Sequence, residues 1–168
     1  MSAFVSQWNP ASEQAQARRT AMRERLDLLR ALEQRAVDQS NRSAVRFEKR
    51  HQLLPRQRIA LLLDRGAPWL PLASLAGFLQ DGAGRDQSIP GGCVIAGIGF
   101  VCGVRCLVVA CDAGINAGAL VPAGLYKVLR VQEIALRERL PFIHLVESAG
   151  ANLADYHVET FIRGGALF

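Results

Sequence analysis

The amino-acid sequence predicts a mixed α/β fold, and three observations carry that expectation. Two β-branched, apolar runs, Cys93 to Phe100 and Arg105 to Cys111, are separated only by Val101-Cys102-Gly103-Val104, the spacing of an antiparallel hairpin. Residues 122 to 140 return to helical spacing, with Leu125, Val128, Leu129, Leu136 and Leu140 apolar and Lys127, Arg130, Arg137 and Arg139 facing outward. A third apolar run, Phe142 to Glu147, follows Pro141 and opens into Ser148-Ala149-Gly150-Ala151. The order strand, strand, helix, strand, then a small-residue loop feeding a helix makes this part of the chain mixed α/β.

Before the hairpin the chain has a different character. Of its 168 residues, the first 56 hold 11 Arg/Lys against 6 Asp/Glu, whereas the remainder holds 9 of each, so the whole net charge of +5 lies at one end. All 15 glycines lie at Gly66 or later. Within the basic stretch Met22, Leu26, Leu29, Leu32 and Ala36 recur at spacings of three and four, which predicts an amphipathic helix from Ser12 to Gln39, with Ser12 as its cap and Glu13 on its positive end. Aromatic residues for base stacking are sparse there, Phe4, Trp8 and Phe47, and no nucleic-acid motif accompanies them, so a helix packed on a neighbour or another subunit is expected. Residues 1–52 therefore form a basic helical N-terminal extension, and residues 53–168 the main domain.

Pro55 to Leu63 reads as a short helix stopped by Asp64-Arg65-Gly66, with Gly66 supplying the left-handed cap. Ala67 to Gly92 reads as loop, most polar and most mobile over Asp81 to Pro90. Pro122 favours the first turn of the next helix and Pro141 ends it. Thr160 to Phe168 looks like an element just begun, so the chain reads as cut short at its C-terminus. No apolar run approaches the about 20 residues of a membrane helix. Met1 to Pro10 lacks the pattern of a secretory signal, so a cytoplasmic location, without membrane or nucleic-acid partners, is expected.

Several familiar sites fail on spacing. Cys93, Cys102, Cys106 and Cys111 form no C-x-x-C pair and His51, His144 and His157 are scattered, so no metal site is expected and the cysteines read as reduced residues on or beside buried strands. Gly97-x-Gly99 fails as a dinucleotide fingerprint because position 102 is Cys and a strand, not a helix, follows. A phosphate loop of the G-x-x-x-x-G-K-[ST] kind is missing, and His144 reads as a packing residue on a strand. The remaining candidate is Ser148-Ala149-Gly150-Ala151-Asn152, which is either an ordinary tight turn or a place where successive backbone N–H groups cradle an oxyanion.

Collinear blocks from Leu53 to Asn152 add to this reading. Leu54-Pro55-Arg56-Gln57-Arg58-Ile59 through Asp64, Gly97-Ile98-Gly99, Val108 to Asp112, Leu129-Arg130-Val131-Gln132-Glu133-Ile134-Ala135, Arg139-Leu140-Pro141, and Leu145 through Asn152 together resemble the N-terminal part of the carboxyltransferase (β) subunit of biotin-dependent acyl-CoA carboxylases, the propionyl-, methylcrotonyl- and geranyl-CoA carboxylase family. The resemblance implies a crotonase-like (ClpP/crotonase) N-terminal carboxyltransferase domain, preceded by the amphipathic helix and incomplete at its C-terminus. It implies a C–C bond-forming ligase in which carboxybiotin on a partner subunit supplies the carboxyl group, an enolate of acyl-CoA receives it, and no side-chain base is needed. The implied partners are a biotin carboxylase and biotin-carrier α subunit together with further copies of the β subunit.

The family's Asp-Ser-Gly-Gly-Ala loop aligns with Glu147 to Ala151, which places the backbone of Ala149 and Gly150 in the oxyanion hole, flanked by Ser148 and Ala151 as substrate-binding residues. Ala149 stands where the family has Gly; it keeps the N–H but adds a methyl group that disfavours positive φ. The family's Asn-Asp-x-Thr-Val-x-x-Gly-Gly stretch appears as Cys111 through Ala119, retaining Asp112 and Gly118 and making Asp112, Ala113 and Gly114 candidate backbone contacts to CoA, with Lys127 and Arg130 as candidates for its phosphates. A second crotonase-like domain carrying the biotin side has no counterpart in these residues, so the chain alone is expected to be inactive. Two other readings stay open: a non-catalytic CoA-binding or assembly module, and an enoyl-CoA hydratase or isomerase, for which Glu147 would be the nearby acid/base.

Overall fold

Alternation along the hairpin decides how the layers stack. In the computed structural model, which describes residues 8–150 and 158–165, β2 (Val94–Val101) and β3 (Val104–Cys111) pair antiparallel from Val94 opposite Cys111 to Val101 opposite Val104. The two-residue turn has φ 50° at Cys102 and 76° at Gly103, and Asp64 accepts from both of its N–H groups at 2.8 and 2.7 Å. β4 (Phe142–Leu145) returns beside β3 in parallel, after α4 (Pro122–Arg137) has crossed one face, and a two-residue strand β1 (Leu70–Pro71) pairs antiparallel with β2. The sheet order is β1-β2-β3-β4.

Period-two alternation sends Val94, Ala96, Leu107 and Val109 to the side where α4 contributes Val128, Val131 and Ala135. Cys106, Val108 and Ala110 face the other way, onto Ile59 of α3 (Pro55–Leu62) and the partly buried Leu62, Leu63 and Trp69. Leu107, Val108 and Val109 are each 0% exposed, so β3 is the central strand, and each such side chain contributes about 1.5–3 kcal/mol by leaving water. Gly97 and Gly99 lie under the Trp69 ring. A Cβ at Gly99 would sit 2.6 Å from Leu63 Cδ2 and 2.9 Å from Trp69 Cε3, and one at Gly97 would overlap the ring, so the Gly-x-Gly pattern makes room for an indole.

Ahead of the sheet, α1 (Glu13–Asn41) begins where Ser12 Oγ accepts from Ala15 N at 3.3 Å. Its stripe is only half used: Met22 and Leu26 are 57% and 40% exposed, Leu29 and Leu32 half-buried, and Ala36 buried. A short α2 (Ala44–Lys49), not expected from periodicity, buries Phe47. Gln57 Oε1 accepts from Leu54 N at 2.9 Å to start α3, which ends as Leu63 turns extended (φ −76°, ψ 145°) rather than at a glycine cap; Gly66 takes φ 77° further on.

Three expectations need correction in the second half. α4 stops at Arg137, three residues early, because Arg139 turns to φ 53° and Leu140 N bonds back to Ala135 O at 2.8 Å, a Schellman closure completed before Pro141. Leu136 is 83% exposed, at the edge of a buried stripe centred on Val128, Val131 and Ala135, and that same stripe takes in Lys127, which is 5% exposed rather than outward. The segment 67–92 is not all loop: it carries β1, and Ser88 is fully buried, with its hydroxyl accepting from Leu79 N at 2.8 Å and its carbonyl from Arg35 at 3.0 Å. The final helix, α5 (Val158–Gly164), rests on α4 through Arg163 Nη1 donating to the Tyr126 hydroxyl at 2.8 Å; Phe4, Asn152, His157 and Phe168 lie outside the described residues.

Replacing Gly97 by Ala should lower the free energy of urea unfolding by about 1–3 kcal/mol through overpacking against Trp69. Circular-dichroism urea titrations of Gly97→Ala, with and without Trp69→Leu, check this: the smaller partner should recover part of the loss.

Candidate functional site

Parallel pairing brings the C-terminal ends of β3 and β4 side by side, and the two segments that leave them, 112–121 and 146–150, form the candidate site. The first turns back through Asn116, Ala117 and Gly118, at φ 47°, 52° and 69°. Left-handed backbone costs an L-residue about 1–2 kcal/mol, and here it is held by Ile115 N to Asp112 O (2.8 Å), Gly118 N to Ile115 O (2.9 Å) and Ala119 N to Asn116 O (2.9 Å). The result presents the carbonyls of Ala117 and Gly118 to the second loop. Ala149 N donates to Ala117 O at 3.1 Å, Ser148 Oγ to Gly118 O at 2.7 Å, and Leu120 N to Gly150 O at 3.1 Å. Gly118 is required twice over, by its φ and because a Cβ there would run into Glu147 O.

The same geometry deals with the departures from the family pattern. Gly150, at φ 92°, takes the left-handed position of the loop, and Ala149 is not among the non-glycine residues at positive φ, so its methyl group carries no left-handed backbone penalty. Ala119, where the family has a second Gly, sits at φ −57° and ψ 134°, a conformation open to any residue. Ser148, Ala149 and Gly150 are exposed, and Gly150 N donates to Ser148 Oγ at 3.0 Å, so both N–H groups assigned to an oxyanion have internal acceptors here. Ala151 lies outside the described residues.

Asp112, Ala113 and Gly114 occupy a buried floor rather than a surface, since the N-terminal helices cover them. Asp112 is 2% exposed and accepts from Ser40 Oγ at 2.5 Å and from Arg56 Nη1 at 2.7 Å. The carbonyls of Ala113 and Gly114 accept from Arg46 Nη2 at 2.7 Å and Ser43 Oγ at 2.8 Å. A Cβ on Gly114 would meet the backbone of Ser40 at 2.7–2.9 Å, so α1 can approach only a glycine there. Arg58, two residues from Arg56 on α3, reaches Glu147 Oε2 at 2.7 Å. Ser40, Ser43, Arg46, Arg56 and Arg58 were not singled out by motif reasoning; the only signal was that both α3 arginines lie in the block from Leu54 to Ile59.

Lys127 corrects a second expectation, since it does not face a solvent-borne phosphate. Its Nζ donates to Val94 O at 2.6 Å and Gly91 O at 3.3 Å, tying α4 to the start of β2. Burial, then the nearby Arg56 guanidinium, pushes its pKa down to about 8, against a smaller opposing pull from Asp112. Cys93 in the same cluster is pushed up to about 11 by burial and Asp112, which makes it a poor nucleophile at neutral pH. A cavity of about 220 Å³ lies beside these groups, lined in part by Arg56, Cys93, Asp112, Lys127 and Trp69. Arg130 is exposed and pairs with Glu133 at 2.8 Å. Cys106 and Cys111 are buried on β3, Cys93 is half-buried just before β2, and Cys102 is exposed in the hairpin turn. His144 packs edge-on to Phe142, with Nε2 3.8 Å from Cys111 Sγ, and burial lowers its pKa. Among the described residues no three His, Cys, Asp or Glu side chains cluster to hold a metal, and no helix is long and apolar enough to cross a membrane.

Residues 47–168 match the family described as "Carboxyl transferase domain". The chain belongs to that family. Over 108 residues this carboxyl transferase domain is 48% identical to a probable mitochondrial methylcrotonoyl-CoA carboxylase beta chain of Drosophila melanogaster, covering 64% of this chain and 18% of that one. It is 44% identical over 123 residues to a probable biotin-dependent acyl-coenzyme A carboxylase beta2 subunit of Mycobacterium tuberculosis, covering 73% and 22%. The geranyl-CoA carboxylase beta subunit of P. aeruginosa superposes with a TM-score of 0.87 at 44% identity, over 98% of this chain and 30% of that one. The structural match therefore takes in α1 as well as the residues of the family match, and supports the crotonase-like α/β architecture expected from the sequence. The chain spans about a fifth of the length of the curated relatives it matches.

The depressed Lys127 pKa has a signed consequence for the carboxyl transferase domain. Between about pH 8 and the unfolded value of 10.5 the unfolded chain binds the extra proton, so this residue's contribution to stability rises with pH across that window. The rise should amount to about 3 kcal/mol. Cys93, raised from 9.0 to about 11, opposes it between those values, so the measurement is the difference in unfolding free energy between wild type and Lys127→Met from pH 7 to 10.5, which should grow in favour of wild type.

Proposed function

We propose that this chain forms the acyl-CoA side of the carboxyltransferase of a biotin-dependent acyl-CoA carboxylase, with the backbone N–H groups of Ala149 and Gly150 stabilising the enolate oxygen of the thioester. The observation that carries it is the exposed Ser148-Ala149-Gly150 loop, shaped by Gly150 and braced on the left-handed turn 116–118, in a chain of this family. When bound, carboxybiotin from a partner subunit supplies both the carboxyl group and the base. This chain's residues have a different task, which is to make the α-carbon acidic by lowering the energy of the developing oxyanion.

The internal hydrogen bonds sharpen that argument. Ala149 and Gly150 donate to a carbonyl and a hydroxyl, both neutral. A ground-state thioester oxygen that replaces them gains little, whereas an enolate oxygen is a charged acceptor and gains more. The exchange therefore favours the transition state over bound substrate, which is the differential binding that accelerates a reaction. Ser148 supports the loop by donating to Gly118 O, while Asp112, Ala113 and Gly114 form its buried floor beneath α1 and α2. By the same reading the protein works with a biotin carboxylase and biotin-carrier α subunit and assembles with further β subunits, and Ala151 joins the substrate-binding loop. The occupied N–H groups also favour a second reading, a non-catalytic CoA-binding or assembly module, in which the loop never opens to substrate.

Carboxylation of an acyl-CoA panel by the complete subunit with its biotin-carrying partner separates the two. Gly150→Ala meets open space but strains the φ of 92°, so kcat should fall about 10²-fold while CoA affinity stays within about threefold; bound CoA without carboxylation in the wild type would leave the binding module. The 168-residue chain alone should show no sustained carboxylation, and turnover with only a biotinyl partner would overturn the assignment of the biotin side to a second domain.

A further inference from the structure

We propose that Arg58 is the positioning residue of the Ser148–Gly150 loop, acting through its ion pair with Glu147; the inference rests on the carboxyltransferase reading and gives that site its alignment device. Glu147 immediately precedes the loop, and its carboxylate accepts from Arg58 Nη1 at 2.7 Å. Its own carbonyl lies against Gly118, where no side chain could fit. The residue is thus held on two sides, by α3 through its side chain and by the left-handed turn through its main chain.

The placement of α3 makes this a clamp on both strand ends. Ile59, 5% exposed, docks the helix on the sheet. Arg56 and Arg58, two apart, leave a helix in nearly opposite directions. Arg56 takes the carboxylate of Asp112 at the end of β3, and Arg58 takes that of Glu147 after the end of β4, each at 2.7 Å. One short helix therefore fixes the relative position of the two segments whose alignment sets the oxyanion donors.

The two pairs differ in burial, which separates their roles. Asp112 is buried, so Arg56 neutralises a charge the fold cannot leave unpaired. The Arg58 and Glu147 side chains are partly buried, at 30% and 28% exposed, and water still reaches both charges, so losing one partner strands the other far less than at Asp112. The value of this pair is geometric. A displacement of about 1 Å in a reacting group can cost 10²-fold in rate.

The test uses the complete subunit with its biotin-carrying partner and has two independent readouts. Amide hydrogen exchange over residues 147–150 should quicken at least tenfold in Arg58→Ala and return towards wild type in Arg58→Lys. The kcat for acyl-CoA carboxylation should fall about 10- to 100-fold in Arg58→Ala, with CoA affinity within about threefold and the melting temperature nearly unchanged. The reversed pair, Arg58→Glu with Glu147→Arg, should regain at least tenfold over either single variant, which ties the effect to the ion pair, while a fall in kcat at an unchanged melting temperature is what a purely structural role would not produce. Unchanged exchange in Arg58→Ala overturns the proposal whether or not the wild type carboxylates. Faster exchange with kcat within twofold of wild type also overturns it, whereas a wild type that carboxylates no acyl-CoA defeats the functional reading alone and leaves exchange to decide the positioning role.

Discussion

The buried carboxylate of Asp112 ties the molecule together. It lies at the end of the central strand, nearly out of water, and a charge there must be paired or it destabilises the fold by several kcal/mol. Its partners come from two elements distant in sequence, the Ser40 hydroxyl near the end of α1 and the Arg56 guanidinium of α3. Satisfying Asp112 therefore fixes where both helices sit. Ser43 and Arg46 extend the seal to the next two carbonyls, so the basic N-terminal segment covers the strand end that supports the site.

The site itself is mainly backbone. Three successive left-handed residues aim two carbonyls at a neighbouring loop, and that loop's N–H groups are the donors proposed for the oxyanion. Such a device has little side-chain signature. It needs Gly118 where Glu147 comes close and Gly150 where φ is 92°, and it accepts Ala at 119 because the conformation there is ordinary. Charged side chains enter one layer out, where Arg56 and Arg58 pair with the carboxylates of Asp112 and Glu147.

Short-range physics made much of the fold legible. The hairpin followed from two β-branched runs around Cys102-Gly103, α1 from Ser12 and a three-four apolar spacing, and the start of α4 from Pro122. Errors fell where a distant partner overrides a local signal. Lys127 reads as an outward charge, yet two carbonyls from the start of β2 receive its ammonium inside the stripe that packs on the sheet. β1 is too short for any periodicity and exists only because β2 offers an edge. Gly97 and Gly99, suggestive of a nucleotide loop, are explained only once Trp69 lies across them.

For the site, the sequence by itself determined the loop, its glycine and the family pattern around them, because these are contiguous residues whose spacing is visible in one dimension. Tertiary structure alone decided that Ala149 carries no left-handed backbone penalty, that Asp112 to Gly114 lie beneath the N-terminal helices, and that Arg56 and Arg58 reach two different strand ends. Those facts depend on contacts between residues about 30 to 90 positions apart. Local pattern specifies which conformations a segment can adopt, and only packing and the pairing of buried charges select which residues meet.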